Sequence, residues 1–259
     1  MKLWMWRLRV FAPWLAIAVV SCGITLIVML PAAWITPQFA KETQGHVNLI
    51  EPSGSLWHGS AALMLAAGSD SSTATLLPGR IEWHTAFWPL LTGRLQMRMK
   101  QSDAMPDPVT FEATSKGAGL SGGSLAVPAA LLAGLGAPFN TLDLQGDVNL
   151  TWSEWRVLGQ KPFGQLIVTL TDMSSRVSRV KPLGSYRMVF QAQGVSSTLD
   201  LSTLKGPLQL QGHGTMAGGM TQFQGEASAE PDQRDNLAGL LNLLGRPTGA
   251  GVVALTFMH

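Results

Sequence analysis

The chain has 259 residues, of which 18 are Lys or Arg and 16 are Asp or Glu. Lys2, Arg7 and Arg9 precede the first long apolar run and no acidic residue precedes Glu42, which leaves 15 basic against 16 acidic side chains beyond that run. Such a balance excludes a basic nucleic-acid-binding surface, and a single cysteine, Cys22, excludes an intrachain disulfide. Charged residues make up 13% of the chain, against roughly 25% in ordinary soluble domains. With 28 glycines, this composition points to a β-rich protein with many turns.

Residues 10–30 form an unbroken apolar run of 21 residues. At about 1.5 Å per residue a helix of that length reaches roughly 30 Å, the hydrocarbon thickness of a bilayer. Trp14, Leu15, Ile17, Val19 and Val20 supply the apolar bulk of its first half, and Ile24, Leu26, Ile27, Val28 and Leu30 that of its second. The basic flank keeps residues 1–9 cytoplasmic. The expected plan is an anchor and flank over 10–35, a connector over 36–45 and a β domain on the far side of the membrane over 46–259, with a module boundary near 104–123. The chain is expected to be single-pass, with the lipid bilayer a partner through the N-terminal helix.

Two cleavage readings compete with an uncleaved anchor. Val19, Val20, Ser21 and Cys22 resemble a lipoprotein cleavage box, and Pro31, Ala32 and Ala33 are small. Against the first, Gly23 to Leu30 continues the apolar run where a lipidated cysteine is followed by a polar tether. Against the second, the run exceeds the roughly 7 to 15 residues of a cleaved signal. A signal anchor with Cys22 as a small apolar helix residue fits better.

Beyond the connector, apolar and polar residues alternate with period two. Leu95, Met97 and Met99 interleave with Arg94, Gln96, Arg98 and Lys100, and Val148, Leu150 and Trp152 with Asp147, Asn149, Thr151 and Ser153. Leu166, Val168 and Leu170 repeat the pattern, as do Tyr186, Met188 and Phe190, then Leu208 and Leu210, then Phe223, Gly225 and Ala227. Regular short strands of this kind predict a curved, mostly antiparallel sheet with one covered face. Two short helices are expected as lids, Val127–Leu135 and Asp235–Leu244. In the second, Leu237, Leu240, Leu241 and Leu244 share one face. An internal echo relates Ile81, Trp83, Trp88 and Gly93 to Leu150, Trp152, Trp155 and Gly164, each read as strand, Trp-bearing turn, Gly, strand.

The catalytic lookalikes fail on context. Gly119-Leu120-Ser121-Gly122-Gly123 resembles a serine-protease loop but has Leu120 where Asp is needed, and reads as a flexible turn. Gly117, Gly119 and Gly122 satisfy GxGxxG with no helix following. His46, His58, His84, His213 and His259 form no HxH or HExxH pair. Asp103 with Asp107, and Glu230 with Asp232, sit beside prolines in loops. No catalytic residue, cofactor or metal is assigned, and the chain reads as a non-enzyme. What remains are aromatic and glycine positions that organise strands, above all Trp57 between Gly54 and Gly59, and Trp83, Trp88, Trp152 and Trp155.

Taken in order, the N-terminal run, the stretch Gly54, Leu56, Trp57 and Gly59, the segment from Trp83 through Trp88, Gly146 with Trp152 and Trp155, Gly184 with Tyr186, and the closing Leu241 and Gly245 resemble type II secretion system protein N, the GspN family. The resemblance covers essentially the whole chain and carries no catalytic signature. It implies a bitopic inner-membrane protein whose periplasmic part contacts other type II secretion components in the export of folded proteins across the outer membrane. A one-face-apolar sheet on an N-terminal anchor also resembles AsmA-like lipid-handling proteins, whose groove cradles acyl chains. An anchored periplasmic hydrolase is a third class, and no residues support it. Oligomeric state is not legible.

Overall fold

The computed structural model describes residues 21, 23, 25, 29–68, 74–136, 139–218, 220–249 and 251–258. Most of the apolar run, including Trp14, Leu15, Ile17, Val19, Val20, Ile24, Leu26, Ile27 and Val28, lies outside the described residues. Within the run, Ser21, Gly23 and Thr25 are helical; the Thr25 hydroxyl donates to the Ser21 carbonyl at 2.9 Å and the Met29 N–H to the Thr25 carbonyl at 2.9 Å. Among the described residues no helix is long and apolar enough to cross a membrane.

After a 3₁₀ turn at Ala32–Trp34, helix α1 (Ile35–Glu42) occupies most of the segment read as a short connector over 36–45. Pro37 falls in its first turn, where a missing N–H costs nothing. Thr43 closes its end by donating from Oγ1 to the Phe39 carbonyl at 2.9 Å. At eight residues the helix is too short for its period to stand out.

The sheet begins with β1 (Val47–Gly54), β2 (His58–Ala66), β3 (Ala74–Leu76) and β4 (Ile81–Thr85). One helical turn, α2 (Phe87–Leu91), leads to β5 (Arg94–Gln101), β6 (Val109–Thr114), β7 (Gly117–Leu120) and β8 (Gly123–Pro128). A 3₁₀ segment (Ala129–Leu135) and α3 (Phe139–Leu142) precede β9 (Leu144–Trp152), β10 (Trp155–Leu158) and β11 (Lys161–Ser175). Then come β12 (Gly184–Gln193), β13 (Ser196–Lys205), β14 (Leu208–Ala217), β15 (Met220–Ala229), helix α4 (Arg234–Leu244), β16 (Arg246–Gly249) and β17 (Val252–Met258).

All seventeen strands of the described residues belong to one sheet. Every pairing is antiparallel, and strands adjacent in the chain are adjacent in the sheet for most of its width. The halves β7 and β8 face β10 and β9 in a single register, Gly117 to Pro128 against Leu158 to Asp147, across a break at Ser121–Gly122 and Ser153–Glu154. The first end strand, β1, pairs only with β2 and the last, β16, only with β17, so the sheet is open. Bulges at Glu51 in β1 and Asp172 in β11, with φ of 49° and 50°, add local bend.

Two expectations change. Val127 and Pro128 finish β8, and the lid that follows is 3₁₀, not α-helical. Val127 is held in the ladder by Val148, and Pro128, extended at ψ 140°, ends the strand before the turns begin. Trp155 does not sit in a turn. It opens β10, and the hairpin reverses later at Gly159–Gln160, where φ of 53° and 69° give the type I′ geometry that matches strand twist.

The apolar positions of successive strands fall on one face. Leu150, Val168 and Met188 align across β9, β11 and β12, and Leu201 extends the row into β13. At the end of the strands nearest α4 this face is sealed: Leu237, Leu240 and Leu241 pack with Val148, Met173, Tyr186 and Val253. Each fully buried leucine contributes about 1.5–3 kcal/mol relative to exposure. A smaller cluster, Ala32, Ala61 and Trp83, holds the N-terminal strands, with Leu49, Met97 and Met99 against it.

Candidate functional surface

The motif residues read from the sequence pair aromatic rings with glycines on the neighbouring strand. Gly59 lies opposite Trp83, and a Cβ there would run into the indole ring. Gly123 lies opposite Trp152, whose ring is 2.7 Å from where a Cβ there would stand, and a Cβ on Gly164 would stand 2.6 Å from the Trp155 ring. Both strand tryptophans also use their N–H: Trp83 Nε1 donates to the Ser55 carbonyl at 3.3 Å and Trp152 Nε1 to the Ser121 carbonyl at 2.9 Å. Such cover supplies the packing that a glycine in a strand lacks. Trp155 then stacks on Phe190, with centroids 6.1 Å apart and planes 2° from parallel.

Tyr186 is buried and donates from its hydroxyl to the Leu208 carbonyl at 3.1 Å; a Cβ on Gly184 would come 2.8 Å from that hydroxyl. Burial pushes the phenol above its ordinary value, so it remains a donor across the physiological range. Gly146 abuts the Thr171 carbonyl, Gly245 the Ala254 carbonyl, and Leu241 sits in the core. Gly54, at φ 83°, turns the chain from β1 into β2 beside the His58 carbonyl. Leu56 bridges two elements: its N–H donates to the Leu30 carbonyl at 2.9 Å, and its carbonyl accepts from Thr85 Oγ1 at 3.0 Å. Trp57 meets Phe87 edge to face at 5.4 Å. Of the motif, only Trp88 stands far out of the fold, at 78% exposed.

On the opposite, wet face of β2, β4 and β5 lies an open cleft of about 600 Å³. His58 and His84 meet there with ring centroids 4.1 Å apart, beside Glu82, Arg98 and Lys100. Its serines are engaged by an arginine. Arg80 Nη2 donates to the Glu51 carbonyl at 2.7 Å and to Ser53 Oγ at 3.3 Å, and Arg80 Nε donates to Ser60 Oγ at 3.1 Å. The network clamps the Glu51 bulge to β2, and its residues lie 20 to 29 positions apart. Only the Pro78-Gly79-Arg80 break between strands hinted at it in the sequence.

Ser121 is no flexible turn. It sits in the kink between β7 and β8, where its Oγ accepts the Thr110 N–H at 2.9 Å. Among the described residues no three His, Cys, Asp or Glu side chains gather as a metal-binding group. What the sheet presents is an apolar face and, on its reverse, a cleft lined by charged side chains.

Neither the comparison with curated proteins nor that with solved structures returns a match. A family model described as type II secretion system (T2SS), protein N, matches residues 45–256. That span runs from two residues before β1 almost to the end of β17 and takes in every aromatic–glycine pair described above. The chain therefore belongs to the type II secretion system protein N family and takes part in type II secretion.

Proposed function

We propose that this chain is an inner-membrane-anchored periplasmic component of the type II secretion pathway, acting through protein–protein contacts and not through catalysis. The observation that carries the reading is the family match over residues 45–256. Its membrane address is supported by the apolar run 10–30 and the basic residues before it. The open sheet supports the contact role, because end strand β1 and the part of β17 that the short end strand β16 leaves uncovered have backbone free for an added strand, and the apolar face offers a docking surface. Partners on this reading are other secretion components in the inner membrane or periplasm. The test combines a gene deletion, scored for exoprotein release, with in-cell crosslinking from β1 and β17. Loss of secretion with crosslinks to a secretion component is expected; normal secretion without such crosslinks would overturn the proposal.

One observation favours a second reading. Away from α4 the apolar face continues through Leu166, Met188, Phe190, Leu199 and Leu201, all half-buried. That surface suits an acyl chain, as in a periplasmic lipid-handling protein. Organic extraction of the purified chain would release stoichiometric phospholipid on this reading and none on the first.

A further inference from the structure

Between β4 and β5 the chain presents an apolar tip whose exposure internal packing does not explain. In α2, Trp88 is 78% exposed, Leu91 66% and Phe87 44%. The tip is a built turn. Trp57 supports Phe87 at 5.4 Å, Trp88 stands edge-on to Phe87 at 6.0 Å, and Thr92 Oγ1 donates to the Pro89 carbonyl at 2.8 Å. Large apolar side chains held outward on an ordered turn mark a contact surface.

What the tip faces follows from its neighbours. The Leu56 N–H donates to the carbonyl of Leu30, the last residue of the apolar run, and Pro31 bridges Ser55. On the other side of the same loop, the Thr85 N–H donates to the Trp57 carbonyl at 2.8 Å, one residue before the cap of α2. One loop, Ser55–Trp57, thus joins the point where the run leaves the sheet to the base of the tip. Met29, at the end of the run, is itself 74% exposed. No acidic residue occurs between Glu82 and Asp103, while Arg94 stands exposed where β5 begins.

We infer that the α2 tip enters the headgroup layer of the bilayer beside the apolar run, as a second attachment that fixes how the sheet stands on the membrane. Trp88 takes the interfacial position that indole favours, Leu91 and Phe87 meet the acyl boundary, and Arg94 faces anionic headgroups. A single helix leaves the sheet free to swivel; helix and tip together do not. The inference rests on the run being membrane-embedded.

The test uses the full chain in vesicles of phosphatidylcholine and phosphatidylglycerol. An environment-sensitive fluorophore is attached to native Cys22 in one sample. In the others Cys22 is replaced by Ala and the fluorophore is attached through Trp88→Cys, Leu91→Cys or Leu243→Cys. Leu243, 62% exposed on α4, marks the opposite end of the strands. Blue-shifted emission and quenching by nitroxide-bearing lipid are expected at 88, at 91 and at Cys22, with neither at 243. Aqueous emission at both 88 and 91 with Cys22 quenched overturns the tip and leaves the anchor standing. A blue shift at 88 without lipid quenching assigns the tip to a protein surface, which also overturns it. An unquenched Cys22 overturns the anchor, and the tip falls with it.

Discussion

Among the described residues, thirteen buried side chains join in one cluster around α4, whereas the N-terminal strands gather three, Ala32, Ala61 and Trp83. The N-terminal half compensates with polar bonds. Arg80 ties β1 to β2, and Gln101, 1% exposed, donates to the Pro78 carbonyl while its Oε1 accepts from the N–H groups of Asp103 and Ala104. One sheet therefore holds together by two kinds of chemistry. Where a lid is available, apolar area is removed from water; where none is, backbone groups are satisfied by side chains reaching across strands.

The contrast can be broken most forcefully at Leu237, which is 0% exposed beneath the sheet. Leu237→Ala is expected to destabilise the chain by about 2–5 kcal/mol. Hydrogen exchange should place the loss in β12, β15 and β17 and leave β1 and β2 unchanged; acceleration spread evenly over the sheet would erase the distinction. Next comes Gln101→Leu, which strands two N–H groups and should cost about 1–3 kcal/mol. Here exchange should quicken in β4 and β5 alone. A smaller effect, about 0.5–1.5 kcal/mol, is expected from Trp152→Phe, which keeps ring cover over Gly123 but deletes the bond to the Ser121 carbonyl. A denaturation midpoint equal to the parent's would show that the ring alone matters.

The smallest effect concerns the exposed pair Asp172–Lys205, 2.8 Å apart. The hydrogen bond from Lys205, then its charge, hold the Asp172 carboxyl below the ordinary value of 3.8. A depressed carboxyl contributes stability above its unfolded value and loses it as pH falls through the folded one. The deficit of Lys205→Met, read by urea unfolding, should thus be present at pH 7 and vanish well below pH 3.8. A deficit that persists in acid would assign the effect to packing of the lysine stem at the bulge.

The strands were legible where one face is wet and the other covered. The alternations at 95–99, 148–152 and 166–170 all lie in strands, because half-burial writes itself into period two. Helix α4 was legible for the analogous reason, with Leu237, Leu240 and Leu241 on the buried side. The short α1 was not, since eight residues carry too little period and Pro37 reads as a break or a start equally well; the lid over 129–135 was legible in place, but not its 3₁₀ form nor its start after Pro128. Among site residues, glycine and tryptophan stood out by type, but their partnership depends on strand register, which no local pattern states. The Arg80 clamp, built from residues 20 to 29 positions away, left still less trace.

The place of α4 in the chain has a consequence for biogenesis. Domains form from the N-terminus as synthesis proceeds, and a meander lets every new strand zip onto the one before it with short loop closures. The leucines that roof the sheet, however, come from residues 237–241, after fifteen of its strands. Until they emerge the growing sheet thus exposes a greasy, unroofed flank, and a nascent chain arrested before residue 237 is expected to be an aggregation-prone client for holdase chaperones.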